Sequence, residues 1–157
     1  MAIPKYASNR LRSFAVVAAL ALCSPLAAHA ALDKAAVESL ESYFDFIDYN
    51  SGTIAAQQIP EADWKKIYAL DVRDAGQFSK EHIPGAVNIE WRKVFAERNR
   101  LPKDKTILVY CNTGSFSGQV AMALRMAGFE NVRILHGGFA EWQARGGMDA
   151  YRRATAK

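Results

Sequence analysis

The residue best suited to chemistry in this sequence is Cys111, which directly follows a predicted buried strand. The uncharged, β-branched run at 106–110 indicates that strand. The next loop consists of Asn112, Thr113, Gly114, Ser115, Phe116 and Ser117. We expect Gly114 to let the loop bend back, so that successive backbone N–H groups point toward the sulfur. Ser117 is predicted to be the N-cap of a helix at 117–127, whose positive end faces the same place.

This arrangement predicts an activated sulfur. Backbone N–H donors at a helix N-terminus bind anions, so they favour the thiolate and lower the pKa of Cys111 below that of free cysteine. Such a thiolate is a nucleophile, and the same donors can hold a persulfide after the cysteine has accepted a sulfur atom. Asp71 and Arg73 end another predicted strand and are candidate substrate-binding residues. Alternatively, they form an ion pair that fixes the loop.

The elements that must position Cys111 alternate between strands and helices from residue 53 onward. Strands are predicted at 67–72, 87–89, 106–110 and 132–135, and helices around 78–80 and at 91–100, 117–127 and 139–144. This order predicts an α/β fold in which a small parallel sheet is flanked by helices on both faces. Ligands of such sheets bind beyond the carboxyl ends of the strands, where the Cys111 loop must lie.

The N-terminal part of the chain predicts a leader and one extra helix. Residues 1–30 combine a basic start, an uncharged run and small residues before Ala31, which is the organisation of a secretory signal peptide. The run is shorter than the roughly 20 apolar residues of a membrane span, so we expect export, periplasmic location and no stable membrane insertion of the mature chain. A lipid anchor at Cys23 is the alternative. Residues 31–52 are predicted to form a helix and a turn. Val37, Leu40, Phe44 and Ile47 recur at helical spacing and should form the face that packs on the domain at 53–147. Residues 148–157 are predicted to form a flexible tail.

Charge and cysteine content narrow the function further. Three of the 20 Lys and Arg residues lie in the leader and none of the 16 acidic residues does, so the mature chain carries a net charge of +1. This balance gives no support to nucleic-acid binding. Removal of the leader makes Cys111 the only cysteine, which excludes an intramolecular disulfide. One cysteine with His82 and His136, all far apart in sequence, lacks the spacing of a zinc site, and we expect neither a metal nor another cofactor.

Three motifs follow one another along the sequence: the first covers 70–74, Phe78 and 81–89, the second covers 110–117, and the third covers 128–132, 135–139 and Trp142. In order and spacing they resemble the upstream motif, the active-site loop and the closing segment of the rhodanese family. The resemblance implies a single-domain sulfurtransferase in which Cys111 carries sulfur and the backbone of 112–116 cradles the persulfide. It further implies a small sulfur donor (thiosulfate, polysulfide or an organic persulfide) and a thiol or cyanide acceptor.

The loop departs from the family at two positions. Many members carry Arg directly after the cysteine, and Arg or a polar residue at the sixth loop position, where this chain has Asn112 and Phe116. We therefore expect the loop to attract thiosulfate weakly. Phe116 should offer an apolar wall to an organic persulfide, and Trp91 is a second candidate for such a wall.

The alternative function is a non-turnover rhodanese-like module that binds partner thiols or handles their redox state. A phosphatase would need Arg where Ser117 stands.

Overall fold

The computed structural model describes residues 33–49, 52–147 and 149. The predicted signal peptide and nearly all of the predicted tail lie outside these residues. No helix in the described part of the chain combines the length and the apolar character that crossing a membrane requires.

The centre of the structure is a parallel sheet of five strands, which confirms the predicted fold class. The strands are β1 (Thr53–Ile54), β2 (Tyr68–Asp71), β3 (Val87–Asn88), β4 (Ile107–Tyr110) and β5 (Val132–Leu135). Their order is β1-β5-β4-β2-β3, and every neighbouring pair is parallel. All four residues of β4 are buried, as the uncharged run in the sequence indicates. β4 therefore delivers Cys111 to the middle of the sheet's carboxyl edge.

Helices cover both faces of this sheet. They are α1 (Lys34–Phe46), α2 (Glu61–Trp64), α3 (Ala75–Lys80), α4 (Trp91–Glu97), α5 (Ser115–Met126) and α6 (Gly138–Ala144). Alternate residues of β4 point to opposite faces, so Ile107 and Val109 join one core cluster, while Leu108 and Tyr110 join the other. The first cluster includes residues of α4 and α5, and the second includes Phe139 of α6.

Two predicted helix boundaries are wrong. α5 begins at Ser115 rather than Ser117, and its N-cap is Gly114. The reason is that Gly114 takes a φ of 120°, which turns the chain into the helix two residues before a serine cap would. The predicted helix at 91–100 ends as an α-helix at Glu97 and continues as a 3-10 turn, Arg98–Arg100. β1, α2 and a 3-10 turn at Ala56–Gln58 were not predicted, because each is too short to show a periodic pattern.

The extra N-terminal helix is present as α1, but its apolar face differs from the predicted one. The side chains of Val37, Leu40 and Tyr43 are half-buried, whereas Phe44 is exposed. The Tyr43 hydroxyl lies 3.5 Å from the guanidinium of Arg125 on α5. Phe44, which the helical spacing placed on the packed face, instead contacts Tyr43 edge to face. The helix thus contacts α5 through Tyr43, and none of its own residues is fully buried.

Candidate active site

The Cys111 sulfur lies at the bottom of a cavity at the carboxyl edge of the sheet. Cys111 follows β4 directly and is only 3% exposed. The cavity above it has a volume of about 400 Å³, and the loop residues Asn112, Thr113, Ser115 and Phe116 form one of its walls. A parallel sheet places the ends of its strands together, so the residues after β2 and β3 form the opposite wall. The site therefore admits a small ligand to an otherwise buried sulfur.

The loop surrounds this sulfur with hydrogen-bond donors. The Gly114 N–H donates to Cys111 Sγ at 3.2 Å, and Ser117 Oγ lies 3.6 Å from the same atom. Burial alone raises the pKa of Cys111, but the N–H groups of Ser117, Gly114 and Thr113 and the Ser117 hydroxyl outweigh it, so the pKa is lowered. The direction of this pKa shift is the one that the sequence predicts. The groups that lower the pKa of Cys111 are the N–H groups of the loop and of the first turn of α5, together with the Ser117 hydroxyl. Ser117 lies inside the helix and is not its N-cap.

Ser117 has a second role in the loop. It is fully buried, and its hydroxyl donates to the Gly114 carbonyl at 3.0 Å. The same carbonyl accepts the Gly118 N–H at 2.8 Å, the first bond of the helix. The hydroxyl has a single proton, so while it bonds Gly114 it presents only lone pairs to the sulfur. A thiol proton can bond that oxygen, whereas the hydroxyl can donate to a thiolate only if it rotates away from the Gly114 carbonyl.

The N-terminus of α6 fixes the other side of the loop. The Phe139 N–H donates to the Cys111 carbonyl at 2.8 Å, and the Ala140 N–H donates to the Asn112 carbonyl at 3.0 Å. This close approach requires glycine at 138, where a Cβ would lie 2.5 Å from the Cys111 carbonyl oxygen. The loop conformation therefore depends on a segment more than twenty residues away in sequence.

The structure places Asp71 and Arg73 in a buried ion pair. Arg73 donates to both carboxylate oxygens of Asp71, with the shortest contact at 2.6 Å, and Asp71 is fully buried. Arg73 also donates to the Glu81 carbonyl at 2.8 Å, and its guanidinium lies 4.0 Å from the centre of the Phe139 ring. Burial opposes the charge of Arg73, but the hydrogen bonds and charge of Asp71 outweigh it and raise the pKa of Arg73. Arg73 lines the cavity, whereas Asp71 does not and only positions the Arg73 side chain.

Two aromatic rings form the apolar wall that the sequence suggested. Phe116 is 45% exposed and stacks on Trp91 with the ring centres 4.8 Å apart and the planes 9° apart. Both side chains line the cavity. Trp91 begins α4, three residues after the last residue of β3, so helix packing brings the two rings together from distant parts of the chain.

Sequence reasoning missed three polar residues of the cavity: Asp74, Gln77 and Glu90. Asp74 caps α3 by accepting the Gln77 N–H at 3.0 Å, and Glu90 caps α4 and pairs with Arg92 at 2.9 Å. Their position after strands at the carboxyl edge of a parallel sheet is the signal that could have found them. Within the described ranges, no three His, Cys, Asp or Glu side chains come together as a metal site would require.

Comparison with known proteins agrees with this geometry. A rhodanese-like domain model matches residues 53–145. Uncharacterized protein YqhL of Bacillus subtilis is 35% identical over 81 residues, covering 52% of this chain and 64% of the relative. The thiosulfate sulfurtransferase GlpE of Coxiella burnetii is 38% identical over 80 residues, covering 51% of this chain and 75% of the relative. The crystal structure of a rhodanese-related protein from Thermoplasma volcanium is 25% identical with a TM-score of 0.56, covering 60% of this chain and 93% of that protein. A chain that matches the domain model over most of its length, with a cysteine loop at the end of the central strand, belongs to the rhodanese-like domain family.

Proposed function

We propose that this protein is a sulfurtransferase that moves sulfane sulfur through a persulfide on Cys111. The observation that carries the proposal is the environment of the sulfur, which accepts the Gly114 N–H at 3.2 Å at the bottom of an accessible cavity. These donors favour a negative charge on Cys111 Sγ and, one atom further out, on a persulfide. The relative GlpE, named as a thiosulfate sulfurtransferase, supports the same class of reaction.

The reaction consists of two displacements at sulfur. The Cys111 thiolate attacks the outer sulfur of the donor, a new S–S bond forms, and the donor's own S–S bond breaks. Its electron pair leaves on the remaining thiolate, or on sulfite when the donor is thiosulfate. An acceptor thiolate or cyanide then attacks the outer sulfur of the Cys111 persulfide and releases the Cys111 thiolate, so no external oxidant or reductant is consumed.

Each step needs a negative charge to be held near the loop. In the first step the N–H groups stabilise the attacking thiolate, and in the second they stabilise the thiolate that leaves. Because Asn112 and Phe116 carry no charge, the loop itself offers backbone dipoles rather than a cation to the donor. The candidate donors are thiosulfate, polysulfide and organic persulfides. We also propose that the protein is exported to the periplasm and acts there.

The mass of the intact protein tests the first step. The protein is incubated with each donor class, desalted and weighed, with Cys111→Ser as the matched control. We expect the mass of one added sulfur atom in the wild type, its loss on addition of cyanide or a thiol, and no gain in the variant. A wild type that gains no sulfur from any donor class refutes the proposal.

A non-turnover module is the second candidate, and the uncharged loop is the observation that favours it. Such a module would bind or protect partner thiols without cycling. Steady-state release of persulfide or thiocyanate separates the two candidates, because a module would give at most one turnover per Cys111.

A further inference from the structure

We propose that the groove between α4 and α5 is the docking surface for a protein acceptor of sulfur. The partner is an acidic segment that carries its acceptor cysteine two residues from an apolar side chain. The inference rests on the proposed sulfur transfer and specifies the acceptor.

The groove begins where the sulfur cavity ends. It has a volume of about 280 Å³, and Trp91 and Arg92 line both it and the cavity of Cys111. Its remaining lining is mostly apolar: Val94, Phe95, Gln119, Val120, Ala123 and Leu124. Phe95 is 49% exposed, and Trp91, which lines both spaces, stacks on Phe116 of the cavity wall. A ligand that reaches the sulfur therefore has an apolar surface directly beside it.

The geometry of the groove sets the spacing within the partner. Phe95 follows Trp91, which lines both spaces, by one helical turn, so it lies about 6 Å along α4 from the wall that the cavity and the groove share. Two residues of extended chain span about 7 Å. Because alternate side chains of an extended segment point to the same face, a cysteine and an apolar residue two positions apart can enter the cavity and the groove together.

The charge around the groove selects an acidic partner. Residues 90–100, which form α4 with its N-cap and the following 3-10 turn, contain four basic and two acidic residues, a net charge of +2, although the predicted mature chain is close to neutral. Arg92 is the charged residue that lines the groove, and the guanidinium of Arg98 lies 4.5 Å from the centre of the Phe95 ring. Glu90 pairs with Arg92 and Glu97 with Arg100, so these four charges balance, and Lys93 and Arg98 supply the net positive charge. The field that reaches an approaching segment is therefore positive.

Binding is measured without sulfur chemistry. A labelled acidic peptide, with serine in place of the acceptor cysteine and leucine two residues away on either side, is titrated with the whole protein, and its anisotropy is recorded. We expect Phe95→Gln to weaken binding on the order of tenfold and Arg92→Gln about threefold, with lower salt dependence in the latter. Lys65→Gln, which removes one positive charge at an exposed position before β2 at the opposite end of the sheet, is the matched control and should leave binding unchanged.

The peptides supply a second set of controls. Replacing their acidic residues with lysine, or their leucine with serine, should weaken binding to the wild type. Equal binding of acidic and basic peptides, or of wild type and Phe95→Gln, overturns the docking proposal. Self-association that Phe95→Gln abolishes also overturns it and assigns the groove to a second copy of the chain.

Sulfur transfer then separates the two proposals. Starting from persulfidated protein, the rate of transfer to the cysteine form of the peptide is divided by the rate to free cysteine. This ratio should fall in Phe95→Gln. Failure to form the persulfide refutes the sulfurtransferase while the anisotropy still decides the docking surface. An unchanged ratio in a protein that forms the persulfide refutes the docking surface alone.

Discussion

Replacing Ser117 with alanine removes one hydrogen-bonding group from the Cys111 sulfur while leaving the helix start in place. The hydroxyl lies 3.6 Å from Sγ, and the Gly114 carbonyl that it also bonds keeps the Gly118 N–H at 2.8 Å. Ser117 is buried, so water cannot replace its oxygen without a rearrangement. The variant therefore tests the contribution of this hydroxyl separately from that of the backbone amides.

The size of the effect follows from the contacts. A hydrogen bond to a charged group contributes about 1.5–3 kcal/mol. The contact between the Ser117 hydroxyl and the sulfur is long, and the hydroxyl must give up its bond to the Gly114 carbonyl to donate to a thiolate. We therefore expect its loss to destabilise the thiolate by about 1 kcal/mol. The pKa of Cys111 in the variant is then higher than in the wild type. At a pH below both pKa values, the thiolate fraction and the rate of alkylation should be about fivefold lower in the variant. Less thiolate at a given pH is the sign expected for the loss of a donor to the charged form.

The assay is the rate of iodoacetamide alkylation as a function of pH. Wild type, Ser117→Ala and Ser115→Ala are compared, because Ser115 is an exposed serine of the same helical turn. We expect the inflection to move to higher pH in Ser117→Ala only. If Ser117→Ala has the circular dichroism spectrum of the wild type and an unchanged inflection, the hydroxyl does not lower the pKa of Cys111. The loop amides would then account for the lowered pKa without it.

Three further predictions concern specificity, stability and export. Phe116→Arg should raise kcat/KM for thiosulfate on the order of tenfold without raising it for an organic persulfide, and steady-state kinetics that show no change for thiosulfate exclude loop charge as the determinant. Asp71→Asn leaves the buried charge of Arg73 without its anion and should lower the free energy of unfolding in urea by about 3 kcal/mol or more, whereas a loss under about 1 kcal/mol would mean that the pair behaves like a surface pair. N-terminal sequencing of the periplasmic fraction should begin at Ala31, and a lipid-bearing Cys23 at the N-terminus would show that the leader was misinterpreted.

Much of the fold follows from local patterns. The uncharged run around β4 is buried on both faces, and its extent is predicted to within one residue, because strands buried in this way have a distinctive composition. Gly114 is the predicted bend of the loop because a positive φ is inexpensive only for glycine. The start of α5 was placed two residues late because serine is a favoured cap, and the pattern does not show that Gly114 has already turned the chain.

The site follows from the sequence only in part. Cys111 and its loop lie together because they are contiguous, so their placement beyond β4 needed no tertiary information. From the sequence, Asp71 and Arg73 could either bind substrate or form an ion pair. In the folded chain both side chains are buried and bonded to each other, which supports the ion pair. The stacking of Phe116 on Trp91 joins residues from two helices, and helical periodicity does not specify which rings meet between them.

By itself, the sequence determined the parallel α/β fold, the position of Cys111 after the central strand and the amide-rich loop that lowers the pKa of this thiol. These properties depend on periodicity, glycine conformation and neighbouring residues, all of which act over a few positions. Only the tertiary structure decided that Gly138 lies against the Cys111 carbonyl, that Arg73 bonds Asp71 away from solvent, and that α4 and α5 leave an apolar groove beside the sulfur. Such contacts join segments that are distant in sequence, and they form only when the strands pair and the helices pack on the sheet.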